Sequence, residues 1–266
     1  MTAQLIAYID GIGLLGPGFN DWSSSHAILT GQQPYQSLKT VIPLPEQLPA
    51  AERRRASDIV KLTLATSMEA IAAADLEAAS LPSVFSFSNG DGLNCHTICE
   101  MLASEDRQIS PTRFHNSVHN AAAGYWSIAT GAMATSSVLC AFDASFGAGL
   151  LDAMAQVAVD NTRCILMASD TPYPEPVFSK RPIPDNFGIA LVLAPKATSK
   201  TIAQIKVSFT NDEAFQFNDT ALEALRKAIP AARGLPLLQV IAQQRNQRVV
   251  LDYLDETRLA IEVFPC

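Results

Sequence analysis

The sequence predicts an α/β protein with helices on both faces of a mixed sheet. Three observations carry this. Short apolar strand segments alternate with segments of helical periodicity, as expected when helices cover a sheet. Glycine-rich junctions punctuate the chain at residues 11–18 and 89–92. The 266 residues, 48% hydrophobic, suffice for one large core or two small ones.

In chain order, Leu5 to Ile9 reads as a strand ending at Asp10-Gly11, with Gly13, Gly16 and Gly18 close behind. Trp22 to Leu29 reads as a short helix. Residues 31 to 51 carry Pro34, Pro43, Pro45 and Pro49 and read as a surface loop. Ser57 to Ala73 places Ile59, Leu62, Leu64, Ala65, Met68 and Ile71 on a helical stripe. Leu81 to Phe87 is a buried strand, closed by the turn Asn89-Gly90-Asp91-Gly92. Thr97 to Ala103 is helical. His119 to Thr130 is an Ala-rich helix whose Gly124 suits close packing against a neighbour. Val138 to Phe142 reads as a buried strand and Ala144 to Val159 as a long apolar helix. Asp143, at their junction, is placed to cap that helix, where amide donors and the dipole favour a carboxylate.

Cys164 to Ala168 is a further strand, Thr171 to Pro184 a proline-rich loop, and Phe187 to Leu193 a strand. Ile202 to Ser208 alternates and reads as an edge strand. Asp219 to Ile229 is a helix with Leu222, Leu225 and Ile229 on one side. Leu237 to Ile241 and Leu259 to Phe264 read as strands. The chain divides into a main domain, residues 1–210, and a carboxy-terminal extension, residues 211–266, packed on that domain or on a partner.

Charged residues make up only 17%, below the usual quarter or so. Either much of the chain is buried within a large core, or part of the surface is covered by another protein; the second reading fits the rest of the sequence better. The formal charge of -7 and the absence of a basic cluster beyond Arg53-Arg54-Arg55 argue against nucleic acid. That basic run reads as the solvated start of a helix. No apolar stretch of about eighteen residues predicts a membrane span, and the first residues lack a basic signal region. Cys95, Cys99, Cys140, Cys164 and Cys266 follow no disulfide or zinc spacing, so reduced thiols in a cytoplasm are expected. His115 and His119 are four apart, and His96 adjoins Cys95, but neither set carries a metal-site pattern. No dinucleotide or phosphate-loop motif is present, and no cofactor or metal is expected.

Ile109-Ser110-Pro111, a polar loop, and then HNAAAGYWSIATGAMATSSVLCAFDASFGAGLLDA resemble the β-ketoacyl synthases of the thiolase-like superfamily. Asn120, Gly124 and Gly131 match the family framework. DGIGLLGPG at 10–18 and DNFGIALVLAP at 185–195 resemble its opening strand and the close of its amino-terminal half. The resemblance spans roughly residues 1–210. It implies a thiolase-like half with a mixed β-sheet flanked by helices, lacking a complete second ketosynthase half.

Where the family places its nucleophilic cysteine, this chain has Asp143. A carboxylate is a poor nucleophile beside a thiolate, and its acyl product would be a labile mixed anhydride. The family's second half supplies two histidines and a lysine. This chain has four histidines, at 26, 96, 115 and 119, all before the elbow. The resemblance thus implies no catalytic residue and a non-catalytic role, like that of a chain length factor. It is especially similar to shortened ketosynthase-like subunits of bacterial aryl polyene pathways. The partners implied are a full-length β-ketoacyl synthase, as a heterodimer, and, through that complex, an acyl carrier protein. Arg113, Phe114, His115, Tyr125, Trp126 and Phe142 are the implied interface or acyl-tunnel residues. The other reading is an independent acyltransferase or thioesterase acting through Asp143, Cys140 or Ser145; Cys140 reads as a buried small hydrophobe and Ser145 lacks a local histidine. A purely structural or acyl-binding module is the third.

Overall fold

The computed structural model describes residues 4–266. Residues 1–3, part of the expected first domain and of the stretch read for a signal, lie outside the described residues. The strands are β1 (Leu5–Leu15), β2 (Ser83–Ser86), β3 (Ser136–Leu139), β4 (Cys164–Asp170), β5 (Phe187–Ala194), β6 (Ala203–Thr210), β7 (Gln247–Leu251) and β8 (Arg258–Pro265). They form one 8-stranded sheet in the order β3-β2-β4-β5-β1-β6-β8-β7. β3, β2 and β4 run parallel, and the other pairings are antiparallel.

The helices are α1 (Trp22–Leu29), α2 (Ala50–Arg55), α3 (Asp58–Ala74), α4 (Gly92–Ala103), α5 (Pro111–His115), α6 (Ala121–Thr130), α7 (Ser145–Asp160), α8 (Thr220–Ala228) and α9 (Leu235–Ala242). Strand alternation sends β4 residues Ile165 and Met167 to one face and Leu166 and Ala168 to the other. The first face packs residues of α3 and α6, including Leu64, Ile71, Tyr125 and Trp126. The second packs residues of α1, α7, α8 and α9, including Leu29, Leu150, Leu222 and Leu238. The apolar layer of α7 is therefore covered from within the chain, by its carboxy-terminal residues.

β1 is longer than the sequence suggests. Gly11 and Gly13 read as turn signals, yet the strand runs through both to Leu15. Their role is close approach to α3. A Cβ on Gly11 would lie 2.0 Å from the Ala70 carbonyl oxygen, and one on Gly13 would lie 1.9 Å from that of Thr66. Glu69 on α3 then accepts from the backbone amides of Leu14 (3.0 Å) and Trp22 (2.6 Å), fixing the entry to α1.

Other expectations are corrected by position in the sheet. Residues 138–142 do not form a buried strand: β3 ends at Leu139, lies at the sheet edge and is partly exposed. β6 is not an edge, because β1 and β8 flank it. Arg53, Arg54 and Arg55 close α2 rather than begin a helix. The span Leu237 to Ile241 lies in helix α9, not in a strand. Its Leu235, Leu237, Leu238, Val240 and Ile241 are all buried, and such a continuous apolar run has no period to separate helix from strand. Pro236 in the first turn is the helix signal. β7, unforeseen, opens with the exposed Gln247 and Arg248.

The carboxy-terminal elements are cross-tied by a buried cation. Arg226 of α8 binds Glu223 at 2.6 Å and also contacts Asp252 after β7. Arg226 holds the Glu223 carboxyl down at about 2. Because that acid's folded value lies below its unfolded one, its contribution is present above pH ~4.5 and is lost as pH falls through ~2.

Candidate functional site at the strand-to-helix turn

Cys140 and Ala141 lead from β3 into a 3₁₀ turn, Phe142–Ala144, and α7 begins at Ser145. Ser145 brackets the turn. It is buried, its Oγ lies 2.7 Å from the Phe142 carbonyl and 3.0 Å from that of Phe87, and it accepts from the Ala141 amide at 3.1 Å. Its own carbonyl accepts from Ser86 Oγ at 2.6 Å. A hydroxyl so committed to backbone groups is structural.

Phe142 carries the backbone strain of the turn, with φ at 51°. Left-handed conformation is costly for a bulky side chain, by roughly 1–2 kcal/mol, and persists only where the surroundings hold it. The ring is 60% exposed, and the Arg181 guanidinium lies 3.7 Å from its centroid.

Asp143 does not cap α7. The N-cap residue is Ala144, and no side chain caps there. The carboxylate of Asp143 is instead held by Arg181 Nη2 at 2.6 Å and Arg233 Nη2 at 3.3 Å. Two charged donors hold it in preference to neutral helix amides, since ionised hydrogen bonds are the stronger ones. Cys140, expected to be buried, is exposed, with Sγ 3.0 Å from the Ser88 carbonyl oxygen. The edge position of β3 is the cause.

Asp170, the last residue of β4, anchors the surroundings. It accepts from Ser88 N at 2.9 Å and from Ala231 N at 2.7 Å. Ala231 lies in the 3₁₀ segment Pro230–Gly234, which carries Arg233. The carboxy-terminal extension is thereby pinned to the strand ends and delivers a guanidinium to the turn. Burial pushes the Asp170 carboxyl up to about 6, against the pull of its hydrogen bonds and of Arg181. Its contribution is fully present below pH ~3.8 and is lost as pH rises through ~6. Asp170→Asn removes this titration. The stability of the variant relative to wild type should rise by on the order of 2–3 kcal/mol between pH 4 and pH 7. Urea unfolding at both pH values measures it, and a constant difference would refute it.

The expected interface residues divide. Phe114 is 67% exposed, His115 is exposed with its ring edge-on to Tyr125 at 6.2 Å, and Arg113 is partly buried. Tyr125 and Trp126 are withdrawn from the surface. They are core residues under α3, with the Tyr125 hydroxyl 3.1 Å from Asn116 Oδ1. Helical periodicity explains the split, because the outward face of α6 is Gly124, Ser127 and Ile128. A Cβ on Gly124 would meet nothing within 4 Å among the described residues. Val118, Ile128 and Met133 join Phe114 as exposed apolar residues in the stretch of chain that precedes β3, the edge strand of the sheet. His119 meets Phe87 edge-on at 6.0 Å, and His96 contacts Glu100 at 3.1 Å.

Arg181, Arg233 and Asp170 had no signal in the sequence as site residues. Arg181 lies in a proline-rich loop, and Arg233 is 90 residues from Asp143, so only the folded chain joins them.

A family model described as β-ketoacyl synthase, N-terminal domain, matches residues 21–253. No curated protein matches the chain. Solved structures share its fold at low identity. A chain in the complex of the ketosynthase ApeO with its chain length factor ApeC from Xenorhabdus doucetiae superposes with a TM-score of 0.73 at 20% identity, over 97% of this chain and 99% of that one. A chain in AntDE:AntF, a type II polyketide acyl-carrier protein in complex with its ketosynthase, gives 0.73 at 9% identity, over 99% and 100%. Ketosynthase twelve of the bacillaene synthase from Bacillus amyloliquefaciens gives 0.57 at 12% identity, over 80% of this chain but only 46% of that one.

Proposed function

Because the chain belongs to the β-ketoacyl synthase N-terminal domain family, we propose that it is a non-catalytic, chain-length-factor-type subunit that pairs with a full-length β-ketoacyl synthase. The carrying observation is the turn itself. Where a condensing enzyme needs a thiolate, Asp143 is locked between Arg181 and Arg233. A carboxylate so paired is a weaker nucleophile still, and no histidine lies beyond residue 119 in the chain to assist it.

The partner role is supported by the edge of the sheet. β3 pairs only with β2, leaving one row of backbone donors and acceptors unpaired among the described residues. Such an edge is a template for a strand of another chain. Phe114, Val118, Ile128 and Met133, in the stretch of chain that precedes β3, add exposed apolar surface. The growing acyl chain is apolar and needs a dry wall. A subunit across the interface supplies that wall, and a bulky side chain there stops extension by overpacking. In this reading Phe114 and Arg113 contribute to that wall. The partner's cysteine and histidines do the chemistry, and an acyl carrier protein delivers substrate through the complex. The pathway class is type II fatty acid or polyketide synthesis, with aryl polyenes the product class.

Co-expression with a full-length synthase from such a pathway tests this. The expected result is a stable heterodimer by light scattering and a product-length distribution that shifts when Phe114 is replaced by Ala. A chain that stays monomeric and leaves product length unchanged would refute it, as would carbon–carbon bond formation by the isolated chain.

A further inference from the structure

A groove of about 510 Å³ lies at the end of the sheet opposite β3, away from the Asp143 turn. The loop after α1, residues 215–219, α9 and the start of β7 line it. Its volume is that of a small-molecule site.

The lining is dominated by carboxamides. Five of the chain's thirteen glutamines gather here, Gln33, Gln216, Gln239, Gln243 and Gln247, together with Asn218. Gln239 and Gln243 are half-buried and the other four are exposed, so each can be reached by a ligand. Gln239 lies on α9 and Gln243 one turn later, which sets the two side by side. Outside the groove, Gln156 donates to Ser137 Oγ at 3.3 Å and Gln204 to the Tyr8 hydroxyl at 2.7 Å. None of the six groove side chains has such a partner among the described residues.

The rest of the lining is apolar and nearly neutral. Ile28, Leu222 and Val240 contribute aliphatic surface, and Tyr35, Phe215 and Phe217 contribute rings. The Tyr35 hydroxyl is tied to the Pro17 carbonyl at 2.9 Å, and Phe215 and Phe217 meet edge to face at 5.1 Å. Tyr35 and Phe217 are buried, whereas Phe215 is half-buried and offers ring surface. Asp219 and Arg245 are the charged residues of the lining, one of each sign. Asp219 is engaged in capping α8 through the amides of Ala221 (2.9 Å) and Leu222 (3.0 Å). A lining without net charge does not select a phosphate or a carboxylate.

Each carboxamide presents a donor and an acceptor side by side. Adjacent hydroxyls on a carbon ring present the same pair, and the C–H face of that ring packs on an aromatic surface. A peptide also carries donors and acceptors. However, the Phe215 amide donates to the Val250 carbonyl of β7 at 2.8 Å, so the chain itself covers the strand edge at that point. We propose that this groove binds a neutral polyhydroxylated ring, a sugar or a segment of a glycan, with hydroxyls on the carboxamides and one ring face on Phe215. The groove needs no second subunit in this role, so its occupancy stands or falls separately from pairing with a synthase.

Calorimetric titration of the full chain alone tests the proposal. The probes are the methyl glycosides of glucose, galactose and mannose, the corresponding disaccharides, N-acetyl-triglycine N-methylamide and inorganic phosphate. At least one glycoside should bind saturably, with a dissociation constant on the order of 1 mM, and about ten-fold or more tighter than the peptide amide or phosphate. Gln216→Ala and Gln243→Ala should each weaken it by about three-fold or more. Neither side chain bonds within the chain, so both variants should melt within a few degrees of wild type. Phe215→Leu, which keeps apolar volume and removes the ring, should weaken it by a similar factor. Gln108→Ala, at an exposed carboxamide outside the groove, should change nothing. The disaccharides separate the sources: tighter binding than the single ring indicates a glycan, and equal binding a free sugar. Absence of saturable binding by every glycoside up to about 50 mM would overturn the site. So would affinity indifferent to Gln216→Ala and Gln243→Ala, or a peptide amide that binds as tightly as the glycosides.

Discussion

Gly13→Ala should abolish the folded state. A methyl group at this position would lie 1.9 Å from the Thr66 carbonyl oxygen and 2.8 Å from its carbon. Both are backbone atoms in the middle of α3, so no side-chain rotation relieves the overlap. Either the helix lifts off the sheet or β1 breaks. β1 lies inside the sheet between β5 and β6, and α3 shields the core formed with Phe85, Met167 and Val192. Overpacking a core with a mobile neighbour costs about 1–3 kcal/mol; against fixed backbone we expect about 4 kcal/mol or more, a large part of a domain's typical 5–15. The variant should be recovered as aggregate or show no cooperative thermal transition. Gly124→Ala is the control. It adds the same methyl group to a helix interior with nothing within 4 Å, and should stabilise the isolated chain by about 0.5–1 kcal/mol through helix propensity. A Gly13→Ala protein with a near-native melting temperature would show that β1 and α3 do not lie this close.

These two glycines also show what the sequence could and could not disclose. A glycine signals freedom from a side chain, but not whether that freedom serves a turn or a close contact. Gly11 and Gly13 therefore read as the end of a strand that in fact continues to Leu15. Elements with a clear period were legible to within a residue or two, as with α1, α3 and α8, because one buried face repeats along each. α9 was not, because its buried run has no polar face. The turn at Asp143 was legible as a strand-to-helix junction that carries a carboxylate, since that depends only on local sequence. Its electrostatics were not. The partners of Asp143 come from residues 181 and 233, and sequence carries no distance between segments so far apart. The burial of Tyr125 and Trp126, interface or acyl-tunnel candidates from the sequence, was not legible for a related reason. Aromatic identity fits an interface and a core equally well, and only the orientation of α6 decides between them.

Phe114→Asp combined with Met133→Asp should leave the chain folded and destroy its pairing with a synthase. Phe114 is 67% exposed and Met133 92% exposed, so neither contributes much to the core of the isolated chain. Substitutions at such positions usually change stability by no more than about 0.5 kcal/mol, and the melting temperature should stay within a few degrees. In a complex that closes over the β3 edge, both carboxylates would be desolvated with no partner group chosen for them. Unpaired buried charge is the costliest polar defect an interface can carry. The dissociation constant should rise by about 100-fold or more, equivalent to roughly 2.7 kcal/mol. A matched pair of substitutions on a distant exposed surface, Phe209→Asp with Leu254→Asp, controls for added charge and should leave pairing intact. Phe209 and Leu254 are 58% and 56% exposed, on β6 and in the loop between β7 and β8. If the Phe114/Met133 variant binds its synthase as wild type does, the partner is not on the β3 side of the sheet. If the Phe209/Leu254 pair disrupts binding instead, the interface lies at the opposite end, and the free edge of β3 must be explained by something other than the synthase.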